Sequence, residues 1–441
     1  MATSANILQA VATYQKSSLG RLTNMYCFIS TTNKKFKDFE NFTGNLGSSV
    51  LFDLPPRAYA NAGLVVSTFD TVEQRTQTLQ VGGYDSAGSV LNGGAYDAFG
   101  NLNAANTNLA VSAEQLIFNI DNNNYRTNFE DSCMQELGSR IETSTAANII
   151  NGTYRFYTPG ITVSNVPMEI TTYQQVASAL TKFRNYGAVQ TQTEFFMSDL
   201  CQSQVVGSGL NQFVPRRNEE SANSWELGNF NRTEFYVSNL LPIHTAGTLG
   251  DDQSTLTVTA VTTDADGGIS AITCSGAGTG TVLRGDLAWF LDGVSGQADA
   301  RYLTFIGHQP SANEVQIQIT ANATGVAGSI TFNIFPKLYS AAGKNQNVNR
   351  AITAGMQLKV LPTHRAGLIC AGKPFFLAMP QLPDQRPCDT SSKADPESGA
   401  AIRMTVGAQL GANIYGTIFD AVWGVKLVAE YSLRVIFPLT Q

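Results

Sequence analysis

Between residues 254 and 335 six short runs rich in Val, Ile, Thr and Phe recur, at 254–262 (STLTVTAVT), 269–274, 281–291, 301–307, 314–320 and 329–335. Turn formers separate them: Asp264-Ala265-Asp266-Gly267-Gly268, Gly276 to Gly280, Gly293 to Gly296, and Pro310-Ser311-Ala312-Asn313. Short β runs with a turn every ten or so residues imply an antiparallel barrel or sandwich. On both sides the texture reverts to mixed helix and strand. The chain is therefore expected to be α+β, with about ninety residues of pure β inserted into a mixed framework.

The flanks carry their own periodicities. Ile7, Leu8, Val11 and Tyr14 follow Ser4 at helical spacing. Phe129, Cys133, Leu137 and Ile141 recur every four residues, predicting a helix over 125–150 that stops at Asn151-Gly152. Its outer face is expected to carry Glu130, Asp131, Glu136, Arg140 and Glu142. A second helix is expected over 172–186, buried through Tyr173, Val176, Leu180 and Phe183 and closed by Gly187. Residues 63–69, 193–197, 235–241, 357–361, 367–371, 375–379 and 402–408 read as strands. Residues 348–356 read as helical and 384–399 as a polar loop. The apolar stretch 417–438 is expected to be docked.

One segment lacks the means to fold alone. From Thr76 to Tyr125 there is no Lys or Arg, and six glycines fall between Val81 and Gly100. Charged residues make up only 14% of the 441, where about 25% is usual. A weakly charged chain with a coreless arm is expected to be covered by neighbouring chains, with residues 70–110 ordered only on assembly. The formal net charge of −6 argues against a general nucleic-acid binder but leaves room for local contact with nucleic acid. No apolar run reaches the ~18 residues of a membrane span, and no secretion signal is expected. Cys27, Cys133, Cys201, Cys274, Cys370 and Cys388 lack paired spacing, so thiols rather than disulfides are expected.

The motifs argue against catalysis. Residues 367–373 (GLICAGK) have the spacing of a phosphate-binding loop, but Pro374 replaces the hydroxyl residue and the middle reads as a buried strand. His244, His308 and His364 lie far apart in sequence, without metal-ligand spacing. Asp264-Ala265-Asp266-Gly267 opens like a calcium loop, yet Ser275 stands where the twelfth, acidic ligand belongs. That segment reads as a strand-to-strand turn whose acidic pair, Asp264 and Asp266, contacts a neighbouring subunit. No enzyme activity, cofactor or metal is expected.

Several passages resemble one family, the tailed-phage major capsid proteins of the Hong Kong 97 type, in the short-tailed-phage form with an inserted β-barrel. The segments Val282-Leu283-Arg284-Gly285-Asp286, 314–320 and Asn347-Val348-Asn349 are similar to the insertion domain and its exit. Ala421-Val422-Trp423-Gly424-Val425 followed by Arg434 resembles the family's C-terminal passage, with its Tyr missing. The resemblance implies an N-terminal arm and the start of the peripheral domain at 1–62, and an extension loop at 63–112. A peripheral domain with its spine helix (125–150) then spans 113–170. The axial domain occupies 171–245 and 341–441, interrupted by the barrel at 246–340.

It also implies the function: self-assembly into hexamers and pentamers of an icosahedral virion shell around double-stranded DNA, in the bacterial host cytoplasm. Scaffolding protein and portal are the implied partners, and no membrane is. The rival reading is a carbohydrate-binding or tail-associated β-rich virion protein. If the arm is ordered only by neighbours, its amides should exchange near the intrinsic rate in isolated subunits and become protected in shells. Equal protection in both states, measured by deuterium uptake, would place the arm's packing within its own chain.

Overall fold

The computed structural model describes residues 27–31, 48–54, 75–81, 104–112, 131–187, 192–209, 232–294, 298–304, 308–379, 382, 389–394, 401–409 and 414–439. The expected N-terminal helix, the 63–69 strand and Cys388 lie outside them, as do residues 125–130 of the expected long helix.

A six-stranded sheet forms the framework. Its order is Phe156–Tyr157, Ser432–Phe437, His364–Ala371, Thr193–Met197 and Thr233–Val237, with Ile243–His244 pairing onto the start of His364–Ala371. Every residue of Thr193–Met197 and of Ser432–Phe437 is buried, so both strands are apolar on each face where they can be. The chain's last long strand is thus docked beside the GLICAGK strand, with Ile369 opposite Leu433.

The chain leaves this sheet at His244 and returns at His364, which pairs directly with His244. Everything between is the insertion. Its closed barrel runs Leu287–Phe290, Gln316–Ile319, Ser329–Leu338, Ile269–Ser275, Leu256–Thr263 and Gln357–Val360. The last strand lies past residue 340, where sequence texture had ended the domain. Leu358 and Val360 point into the barrel core, and Leu358 pairs with Phe290 on one side and Leu256 on the other. A sheet of five strands would leave two open edges; the sixth abolishes both. Residues 348–356 are not helical: they cross from the barrel wall to this strand, held by Asn349 N to the Arg301 carbonyl at 3.0 Å.

The long helix, Asp131–Asn151, buries two adjacent i, i+4 rows: Leu137, Ile141, Thr145 and Ile149, and Glu142, Ala146 and Ile150. Glu142 is only 1% exposed, against its expected place on the outer face. A short helix, Cys27–Thr31, explains this, because its Phe28 and Ile29 amides donate to the Glu142 carboxylate at 2.7 and 3.0 Å. The second helix, Tyr173–Asn185, starts with a reciprocal capping box between Thr172 and Gln175. It ends at Gly187, whose φ of 83° closes the last turn in a conformation other residues resist.

The arm is corrected in part. Its strand Ala104–Ser112 pairs along all nine residues with Ile414–Val422, and Arg75–Val81 pairs with Ser48–Leu54. Both ends of the arm therefore find hydrogen-bond partners within their own chain; residues 82–103 between them lie outside the described residues. The expected polar loop at 384–399 also contains a strand, Asp389–Ala394, paired with Ala401–Gln409 in the same four-stranded sheet as Ala104–Ser112.

These boundaries predict that residues 246–361 expressed alone melt cooperatively, while 246–340, lacking the closing strand, does not. Calorimetry of the two fragments checks this.

Candidate functional site

The acidic turn is a tight hairpin between Leu256–Thr263 and Ile269–Ser275. Asp264 N donates to the Gly268 carbonyl at 2.9 Å and Gly267 N to the Asp264 carbonyl at 3.0 Å, with Gly267 at φ 81°. The structure does bring Asp264 and Asp266 together, but around a cation of their own chain. Lys337 Nζ lies 2.7 Å from Asp264 and 3.0 Å from Asp266. Ser270 Oγ donates to Asp264 at 2.6 Å, and Tyr339 Oη to Asp266 at 3.0 Å. The Lys337 hydrogen bonds hold both carboxyls below their usual range, Asp266 at about 2, and raise the lysine. Nothing in the sequence around Asp266 points to Lys337, because the partner comes from a strand 71 residues on.

The GLICAGK segment is a strand, as expected. Leu368, Ile369 and Cys370 are fully buried, and the Lys373 ammonium lies 4.0 Å from Glu194. Among the described residues no group of three or more His, Cys, Asp or Glu could hold a metal, and Cys27, Cys201, Cys274 and Cys370 are thiols. No described helix is long and apolar enough to cross a membrane.

What sequence spacing missed is a buried polar seam where the barrel meets the sheet. Two of the three scattered histidines meet there, with ring centres 5.4 Å apart. His244 Nε2 lies 2.8 Å from Asp286 Oδ1, and Asp286 Oδ2 accepts from Leu283 N at 2.7 Å and Gly247 N at 3.1 Å. Burial pushes both histidines below their usual range, His364 well below, with Arg434 adding repulsion at each. Burial also pulls the Arg434 guanidinium down to about 9. Arg434 Nη2 donates to Asn151 Oδ1 at 3.3 Å, at the end of the long helix.

Two glutamines seal the rest. Ile317 and Ile319 face the barrel core, so the alternation turns Gln316 and Gln318 outward, where the framework covers both completely. Gln316 completes the edge of the central sheet: Phe156 N donates to its Oε1 at 2.8 Å and its Nε2 donates to the Phe156 carbonyl at 3.0 Å. Gln318 Nε2 donates to the Asn151 carbonyl at 2.6 Å. Beside them the Arg155 guanidinium sits 4.1 Å from the Tyr186 ring centre and 5.7 Å from that of Tyr302. Lys182 of the second helix bonds Glu314, at the end of a two-stranded hairpin (Arg301–Leu303 with Pro310–Glu314) within the insertion, at 2.6 Å.

No protein-family model matches the chain, and no curated protein matches it. Solved phage structures are similar to it. They include a chain of Mycobacterium phage Che8, with TM-score 0.42 and 7% identity over 93% of this chain and 91% of that one. The head structure of Helicobacter pylori bacteriophage KHP40 gives TM-score 0.39 and 9% identity, covering 94% and 92%. The capsid of the cyanophage P-SCSP1u gives TM-score 0.37 and 9% identity, covering 93% and 89%.

Two outcomes follow from this geometry. Replacing Gln316 by Leu strands the Phe156 amide and carbonyl, and should cost on the order of 1–3 kcal/mol per stranded group, read from urea unfolding. In Lys337→Met, NMR titration should find the Asp266 carboxyl back toward about 3.9. A carboxyl held low in the fold contributes stability above its unfolded value that is lost as pH falls toward the folded one. The variant should therefore lose stability above about pH 4 and match the parent near pH 2.

Proposed function

We propose that the chain is a tailed-phage major capsid protein whose copies close into an icosahedral shell around packaged double-stranded DNA. The observation that carries this reading is the division of labour along the chain. A long helix and a sheet built from both halves of the sequence make a framework, and a closed barrel is inserted between two paired strands of it. A paired extended hairpin, Ser48–Leu54 with Arg75–Val81, comes before the long helix. This is the order of parts that the sequence resemblance implies.

The composition fits the same role. A subunit tiling a closed shell is covered on most sides, which favours few charges, and one sequence must serve hexamers and pentamers with slightly different contacts. Scaffolding protein and portal are the proposed partners during assembly in the host cytoplasm, with DNA against the inner surface and bound without sequence preference. The Asp264–Asp266 turn is the proposed point of contact with a neighbouring subunit. Each carboxylate remains more than a third exposed beside Lys337, so a cation from another copy can still reach them.

Negative-stain microscopy of the purified protein should show capsomers or closed shells; a uniform monomer or trimer population would refute the proposal. Asp264→Ala with Asp266→Ala should leave the subunit folded, by circular dichroism, yet reduce shell yield. Lys337→Met serves as the control, since it removes the clamp within the chain and keeps the acidic face.

A further inference from the structure

The seam contains an asymmetry between its two histidines. His244 has a carboxylate, Asp286, to receive a second proton. His364 has none. Its Nδ1 lies 2.7 Å from the Pro362 carbonyl, which can only accept, so Nδ1 carries the hydrogen and Nε2 holds the lone pair. That Nε2 is fully buried with no hydrogen-bond partner, as are Arg434 Nε and Nη1 and Gln318 Oε1.

The groups around His364 come from every element of the seam. Arg434 of the neighbouring strand and His244 both repel a charge on it. Asp286 is already engaged by His244, Gly247 N and Leu283 N. The Asp251 carboxylate, on the short helix Thr248–Asp251, accepts from Thr363 N at 2.8 Å and acts on His244. Arg365, next in sequence, projects to the opposite face of the strand. Among the described residues no carboxylate is available to His364.

We propose that this seam is an acid-released lock between barrel and framework. A proton taken up at His364 Nε2 creates a buried positive charge beside Arg434 with no carboxylate among the described residues to balance it, and the barrel parts from the sheet rather than enclose the charge. The pieces that part are held by the polar contacts of Gln316, Gln318, Asp286 with His244 and Lys182 with Glu314, and by apolar contacts such as Phe156 on Trp289 and Tyr154 on Phe335. The barrel's own ladder is closed and does not depend on them.

The direction follows from linkage. Burial and Arg434 hold His364 below its usual value in the closed form, so the opened form binds the proton first. Closure is complete above about pH 6.5 and weakens as pH falls below it, by up to about tenfold per pH unit for one proton.

Hydrogen exchange of the full-length protein between pH 8 and pH 5, corrected for intrinsic rates, tests this. Peptides covering 243–250 and 283–287 report the seam, and 269–275 reports the barrel interior. In the parent protein, seam protection should fall about fivefold from pH 6.5 to pH 5.5 while 269–275 stays protected. His364→Gln should remove most of that fall and His244→Gln less of it, because burial lowers both histidines and His364 the further. Should His364→Gln fold poorly, Arg434→Met provides the second test: removing the repelling charge should move opening to lower pH. Unchanged seam protection in the parent, an equal loss in 269–275, or a pH response undiminished in His364→Gln would each overturn the lock.

Discussion

A polar face that must be buried governs this molecule. The barrel strand Gln316–Ile319 has two sides, and closing the barrel around Ile317 and Ile319 forces Gln316 and Gln318 against the framework. Burying two amides without partners would cost more than their packing returns. The framework meets the need with groups it had to satisfy anyway. Phe156 lies at the sheet edge with an amide and carbonyl to pair, and Asn151 ends the long helix with an unmatched carbonyl. Each side therefore completes the other. The barrel is positioned by this complementarity as much as by the covalent links at His244 and His364.

Aromatic packing secures the opposite end of the framework. Phe28 stacks on Phe196 at 4.3 Å, and Phe375 approaches both rings, tying a segment near residue 30 to strands from the middle and last thirds of the chain. Fully burying each such ring contributes about 1.5–3 kcal/mol. Glu142 adds direction to this apolar contact by receiving the Phe28 and Ile29 amides, while burial raises its carboxyl above the usual range. The two effects act on different parts of the same joint. The rings supply attraction; the carboxylate fixes the register of helix against helix.

The proposed shell role would require a body that does not change and extremities that adjust between neighbours. The described framework suits the first requirement, since its central strands are buried on both faces and its inserted barrel has no open edge. The paired hairpin Ser48–Leu54 with Arg75–Val81 suits the second, because a two-stranded ribbon gains little stability by itself and takes its shape from what lies beside it.

Local pattern determined a good deal. The 172–186 helix was legible because its apolar spacing, the Thr172–Gln175 box and Gly187 all act within a few residues of one another. The β texture after residue 245 was legible because turns at Asp264–Gly268 and elsewhere are local chemistry. The helix from 131 to 151 followed from its four-residue stripe, but the stripe could not say that Glu142, one position round, would be covered by Cys27–Thr31. Long-range pairing decided what remained: the closing strand Gln357–Val360, the strand inside the expected 384–399 loop, and Ala104–Ser112 as part of a sheet rather than an arm. It also brought His244 to His364 across 120 positions and Lys337 to the acidic turn. The physical reason is common to all of them. Helix periods and turns express interactions between near neighbours, whereas a strand's partner, and the burial of a polar face such as Gln316 and Gln318, are set only when distant segments compete for the same edge.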